Sequence, residues 1–264
     1  MLIVAERINS SRKGINQAIK AKDADFIRSE AKAQAEAGAD YIDINAGSFV
    51  EQEAEYLCWL AEVVQGVTGL PLCIDSPNSE AIAAALEVAK RPAMLNSISL
   101  EEKRLTGMMP LVKKYKTKVV VLCQSSQGMA ATLSDKVKIA EQMVAVLTKE
   151  GIALSDIYID PLVYPIATDT QSALAALEAI EKIRQLFPGV HTICGLTNVS
   201  FGLPIRKLLN RTFLVAAMAH GLDSAIIDPT DRELMASLVA AETLLNRDEF
   251  CSRYIETYRE GKLS

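Results

Sequence analysis

Carboxylates and amides recur at one kind of place in this sequence, the end of a short apolar run. Glu6 and Asn9 follow Leu2–Ala5, Asp43 and Asn45 close the run at 41–45, and Asp75 closes 71–75. Asn96, Gln124, Asp160, Asn198 and Asp228 stand at or just after the ends of five later runs. A carboxylate takes two parallel hydrogen bonds from an amino-and-imino edge, and an amide both donates and accepts. Together they suit a neutral heterocycle that offers N–H donors beside ring acceptors. A Schiff-base enzyme needs a desolvated lysine at such a position, and a metal hydrolase usually shows histidines there. Neither residue type stands at these run ends, so no metal ligand set is expected.

The runs themselves fix how these side chains are positioned. Eight apolar stretches, at 2–5, 41–45, 71–75, 93–97, 119–123, 157–160, 191–194 and 225–228, alternate with amphipathic segments. They are rich in Val, Ile and Leu, as parallel strands buried on both faces are. Helices are expected over about 15–37 (closed by Gly38), 51–67, 79–90, 100–115, 135–150 and 231–246. Gly107 and Pro110 are expected to kink or split the fourth of these. A last amphipathic segment over 249–259 packs on the outside. Eight β-then-α units in one 264-residue domain favour a (β/α)8 TIM barrel with an additional C-terminal helix. A doubly wound open sheet is the alternative. In a barrel, the polar strand ends converge on one mouth.

Composition narrows the function classes. A net charge of −5 argues against non-specific nucleic-acid binding, which needs a basic face. No 18-residue apolar run marks a membrane span, and the N-terminus reads as a first strand and not a leader. The five cysteines form no CxxC pair, and Cys73, Cys123 and Cys194 lie inside apolar runs. Buried free thiols and a cytoplasmic location follow. His191 and His220 are read as structural. Neither a GxGxxG after the first strand nor a GxxxxGK[ST] is present, which leaves dinucleotide and P-loop readings unsupported.

The stretch 195–213, GLTNVSFGLPIRKLLNRTF, concentrates the signal. It follows a short apolar run and places Asn198 between the hydroxyls of Thr197 and Ser200. A turn at Gly202 and Pro204 leads into a helix bearing Arg206, Lys207 and Arg211. Taken singly, each polar end has a structural explanation. Asp75 and Asp160 neighbour prolines and could cap a loop or the next helix, and Asp43 could accept backbone N–H bonds. Polar ends on all eight strands are harder to explain that way.

The blocks ERIN (6–9), DINAG (43–47), LCIDS (72–76), MLNS (94–97), YIDPL (158–162), GLTNVS (195–200) and NRTFL (210–214) stand in a recognisable order. The chain resembles the methyltetrahydrofolate:corrinoid protein methyltransferases. That family belongs to the pterin-binding barrels, with dihydropteroate synthase and the folate module of cobalamin-dependent methionine synthase. The resemblance implies a pterin site at Asp75, Asn96 and Asp160, with Gly195, Thr197 and Arg206 nearby and Glu6 and Asp43 at the same mouth. It implies that Asn198 approaches N5 of tetrahydrofolate or 5-methyltetrahydrofolate as the catalytic residue. It further implies a methyl group exchanged with the cobalt of a cobalamin-type corrinoid in one-carbon metabolism, acetogenic or demethylating, and a homodimer. No Asp-x-His-x-x-Gly segment for a corrinoid is present, so the corrinoid is expected to arrive on a separate corrinoid protein. The family block usually reads GLSNVSQ. Thr197 keeps the hydroxyl, whereas Phe201 replaces an amide by a ring. A dihydropteroate synthase, a non-catalytic folate-binding barrel and a barrel enzyme of unrelated chemistry are the competing readings.

Overall fold

A computed structural model describes residues 1–263. Eight parallel strands run in the order β8-β1-β2-β3-β4-β5-β6-β7. They are β1 (Leu2–Asn9), β2 (Tyr41–Asn45), β3 (Leu72–Asp75), β4 (Met94–Ile98), β5 (Lys118–Leu122), β6 (Ile157–Asp160), β7 (His191–Thr192) and β8 (Ser224–Ile227). The ring closes where Gly195 lies opposite Ile226, and the Ile226 N–H donates to the Cys194 carbonyl at 2.9 Å. The expected barrel is therefore the observed architecture, and the open sheet is not. Each strand is followed by helix, giving α1 (Lys13–Ala21), α2 (Ala24–Glu36), α3 (Glu53–Gln65), α4 (Ser79–Val88), α5 (Glu102–Tyr115), α6 (Leu133–Lys149), α7 (Ser172–Leu186), α8 (Arg206–Ala219) and α9 (Arg232–Leu244). The outer C-terminal helix is α10 (Ser252–Arg259).

Two cores follow from this geometry. The barrel lumen is filled by Val4, Tyr41, Cys73, Met94, Val120, Tyr158 and Ile193, one inward side chain from each of seven strand segments. Outward strand residues such as Ile42, Ile74, Leu95 and Val119 pack against the helices. Cys73, Cys123 and Cys194 are buried free thiols. Phe213, Leu214, Ala217 and Met218 of α8 also face the core, while Val215 is exposed.

The structure departs from expectation in three places. The first helix is two: Lys22 adopts a left-handed conformation that ends α1, and the Asp23 carboxylate accepts the Phe26 N–H at 3.1 Å to start α2. Helix α5 runs through Gly107 and Pro110 unsplit. The loops after β5 and β6 are substantial. The first carries a hairpin pairing Gln124–Ser125 with Gly128–Met129, and the second runs from residue 161 to α7. No helix among the described residues is long and apolar enough to cross a membrane.

Candidate active site

The strand register assembles a polar row at the C-terminal rim. Asn9 lies opposite Asn45, Asn45 opposite Asp75, and Asp75 opposite Asn96, so four neighbouring strands present these side chains at one level. The Asn45 amide donates to Asp75 Oδ2 at 2.9 Å. Asp43 sits one pleat deeper on β2, because residues two apart share a face. It is fully buried, and its Oδ1 has no hydrogen-bond partner. The expectation that Asp43 accepts backbone N–H bonds is thus not met. Burial, reinforced by the charge of Asp75, raises its pKa well above the usual carboxylate range, against the opposing effect of Cys73 and Asn96. Burial raises Asp75 too, and Asn45 and Arg104 only partly offset it.

A bulge brings Glu6 into this mouth. Between the pairs Ala5–Ile42 and Ile8–Ile44, β1 carries one residue more than β2. Arg7 instead reaches Glu30 at 2.7 Å and Asp228 at 3.0 Å. Asp228 is thereby committed to an ion pair and to the Thr230 hydroxyl (2.6 Å). Burial pushes Glu6 up to about 7; Arg12, at 3.9 Å, Arg206 and the Thr197 hydroxyl pull it down, and Asp228 pushes the other way.

Asp160 closes the row on the far side. It lies opposite Leu122, and its Oδ1 accepts the Leu162 N–H at 2.7 Å. The loop-capping role expected of it is therefore real, but its second oxygen remains for other donors. Burial raises its pKa to about 6, against backbone N–H groups of Leu162 and Gly195. Behind it lies a residue whose role sequence reasoning missed. Lys136 of α6 is buried and donates to the carbonyls of Ala130 (2.9 Å), Pro161 (2.6 Å) and Leu162 (2.8 Å). It ties the hairpin loop to the Asp160 loop. No local signal marks it, since a lysine near the start of an amphipathic helix normally faces solvent.

Strand β7 is short, and the chain leaves it at Gly195 into a 3₁₀ turn, Leu196–Ser200. The turn buries Leu196 and Val199 and leaves Asn198 exposed at the rim. Gly195 leaves room for it: a Cβ there would stand 3.2 Å from Asn198 Nδ2. Arg206 latches the turn from α8, donating from Nη2 to the Thr197 carbonyl (2.8 Å) and from Nε to Ser200 Oγ (3.1 Å). Ser200 in turn donates to Asn210 Oδ1 at 2.7 Å. Arg206 is thus a brace for the loop, with its guanidinium only partly free for a ligand.

All the residues singled out in the sequence stand at this one end of the barrel. A cleft of about 410 Å³ opens at the opposite end and is lined by Arg184, His191, Asp223 and Arg247. Its basic side chains are engaged: Arg184 pairs with Asp223, the His191 ring hydrogen-bonds Asp223, and Arg247 holds the carbonyls of Met218 and Leu222. This is the face where side chains stabilise a barrel and do not act on substrates. His220 likewise pairs with Glu181 on the helical exterior.

Comparison with known proteins identifies the family. Residues 5–228 match the family model described as pterin binding enzyme. The chain is 38% identical over 265 residues to the methylcorrinoid:tetrahydrofolate methyltransferase of Eubacterium limosum, covering 100% of this chain and 98% of that one. It is 32% identical over 240 residues to the methionine synthase of Mycobacterium tuberculosis, covering 86% of this chain and 20% of the larger protein. Among solved structures, the dihydropteroate synthase of Xanthomonas albilineans superposes with a TM-score of 0.73 at 18% identity, covering 94% and 93% of the two chains. That likeness speaks for the fold. The chain belongs to the pterin-binding enzyme family.

Proposed function

We propose that this member of the pterin-binding family is a methyltransferase that moves a methyl group between N5 of tetrahydrofolate and the cobalt of a corrinoid carried by a separate protein. The carrying observation is the meeting, at one mouth, of the half-buried Asp75 and Asn96 with the buried Asp160 and an exposed amide on a braced turn, in a chain similar over its whole length to a methylcorrinoid:tetrahydrofolate methyltransferase. Asp75, Asn96 and Asp160 hold the pterin's amino-and-imino edge, and Asp43 backs Asp75 from below. Asn198 reaches N5. Glu6, Thr197, Gly195 and Arg206 shape and brace the wall around it. The whole of 1–264 acts as one pterin-binding domain, in the cytoplasm, and as a homodimer.

In the direction away from folate, the N5–methyl bond breaks and its electron pair stays on nitrogen. The reduced cobalt supplies the pair for the new bond, and a proton from solvent neutralises N5. Asn198 cannot supply that proton near neutral pH. Its amide instead donates a hydrogen bond that strengthens as charge develops on N5, which lowers the barrel's barrier to transfer without a proton of its own. The reverse direction uses the same contacts.

The test is a titration of 5-methyltetrahydrofolate against wild type, Asp75→Asn and Asn198→Ala, followed by a cob(I)alamin methylation assay. Asp75→Asn is expected to weaken folate binding by about 10–100-fold, the worth of a charge-assisted hydrogen bond. Asn198→Ala is expected to slow methyl transfer by about 100-fold or more while binding changes little. Folded wild type that binds no folate refutes the reading, and equal losses of rate and binding in Asn198→Ala refute the role of that amide.

A further inference from the structure

Just beyond Asn198 the rim is apolar where water-facing polar residues are expected. Phe201 is 64% exposed, Ile205 77% and Leu208 48%. Ile205 is the most telling. It occupies the N-cap of α8, a position that favours Ser, Thr, Asp or Asn, and it offers no side-chain cap. Its φ and ψ of 50° and 43° are left-handed, a conformation that β-branched residues avoid. Its side chain packs on little within the chain. Three separate costs at one rim residue mark a feature kept for a contact outside the chain.

The lip is also built to hold its shape. The Ile166 N–H donates to the Val199 carbonyl at 3.1 Å, which ties it to the neighbouring loop. The Arg206 guanidinium lies 5.6 Å from the Phe201 ring centroid while it braces Thr197 and Ser200. Ile205 stands at the entry of the first turn of α8, which carries Leu208, and its carbonyl accepts the Leu208 N–H at 3.0 Å. That turn lies in the outer helical layer, away from the ring of strand ends that faces the pterin. Exposed Arg206 and Lys207 stand beside the apolar centre as its basic edge, Lys207 also lying 3.1 Å from Asp231.

We propose that Phe201, Ile205 and Leu208 form the docking lip for the corrinoid-carrying protein, whose contacting surface is apolar at its centre and acidic at its edge. The inference rests on the methyl-transfer reading above. It follows from position: Phe201 is three residues from Asn198, and the methyl must cross the mouth at that amide, so a macromolecular partner delivering cobalt there must sit on this rim.

Steady-state methyl transfer would be measured with a corrinoid protein of the same organism reconstituted with cobalamin, and separately with free cob(I)alamin. Phe201→Gln and Ile205→Asp should each lower kcat/KM for the corrinoid protein about tenfold, mainly through KM. The rate with free cob(I)alamin and the Kd for 5-methyltetrahydrofolate should stay within about twofold of wild type on the same scale. Ile205→Gly separates docking from folding: glycine relieves the left-handed backbone, so Tm should rise by about 2 °C while kcat/KM for the corrinoid protein still falls. Unchanged kcat/KM for the corrinoid protein in all three variants overturns the docking lip and leaves the methyltransferase intact. Equal loss with free cob(I)alamin, or weakened folate binding, also overturns it, by assigning the lip to the corrin or to the folate tail. No turnover by wild type with either acceptor fells the methyl-transfer reading, and this inference with it.

Discussion

Glu6 makes the wall of the mouth sensitive to pH in a direction opposite to that of most carboxylates. Its pKa rises from 4.5 to about 7, with burial as the leading cause. Between those values the folded protein binds a proton that the unfolded chain has released. Stability from this group is therefore fully present below about pH 4.5 and is lost as pH rises through 7. A displacement of 2.5 pH units corresponds to a ceiling of about 3 kcal/mol, at 1.36 kcal/mol per unit. Arg12 stands at 3.9 Å and is 40% exposed, so solvent screens much of its attraction for the ionised form. Glu6→Gln replaces the protonated acid by a near-isosteric neutral group. The variant should match wild type near pH 4.5 and become more stable as pH rises, approaching the 3 kcal/mol ceiling above about pH 8. Urea denaturation of both proteins at half-unit pH intervals reads the difference directly. Asp160, which Glu6 does not perturb, contributes equally to both curves and cancels in the difference. A variant less stable than wild type at pH 8 would refute the reasoning, because it would mean that Arg12 and Arg206 hold Glu6 charged against the cost of burial.

Two further substitutions test how the site is held. Gly195→Ala places a methyl 3.2 Å from Asn198 Nδ2 at a backbone conformation alanine can adopt, so it should displace the amide by a few tenths of an ångström. A several-fold loss of methyl-transfer rate with Tm nearly unchanged is expected, and an unchanged rate would show that the position of the amide is not critical. Lys136→Met strips donors from the carbonyls of Ala130, Pro161 and Leu162. It should cost about 2–3 kcal/mol in urea denaturation, less than the sum of three lost bonds because burying the ammonium is itself unfavourable. A variant as stable as wild type would show that the lysine does not hold the two loops together.

The fold was legible because parallel strands buried on both faces leave continuous Val, Ile and Leu runs, and because each run ends in a polar residue. The order of those ends carried the site as well: Asn45, Asp75 and Asn96 are far apart in sequence but adjacent in register. What escaped has physical reasons. The break at Lys22 interrupts an apolar period that continues from Ile15 to Ile27 on either side, so only Asp23, as a helix cap, marked it. Gly107 and Pro110 suggested a split that does not occur, since α5 continues through both. Lys136 and the bracing role of Arg206 depend on backbone carbonyls of other loops, and carbonyls leave no trace in residue type.

The charge state of the mouth also bears on what it accepts. Asp43, Asp75, Asp160 and Glu6 are all raised by burial first, and the nearby cations, Arg12, Arg104 and Arg206, offset that only in part. A site built for a cation would keep its carboxylates ionised, and a site built for an anion would bring cations inside the ring of strand ends. This mouth does neither. Burial biases its carboxyls toward the neutral form, and Asp43 keeps an oxygen buried without a donor. Such groups gain most from a neutral ligand whose N–H edge supplies the missing hydrogen bonds without demanding full ionisation. A pterin ring offers that edge, and on the proposed reading its N5 lies at Asn198, which the braced turn leaves exposed at the rim.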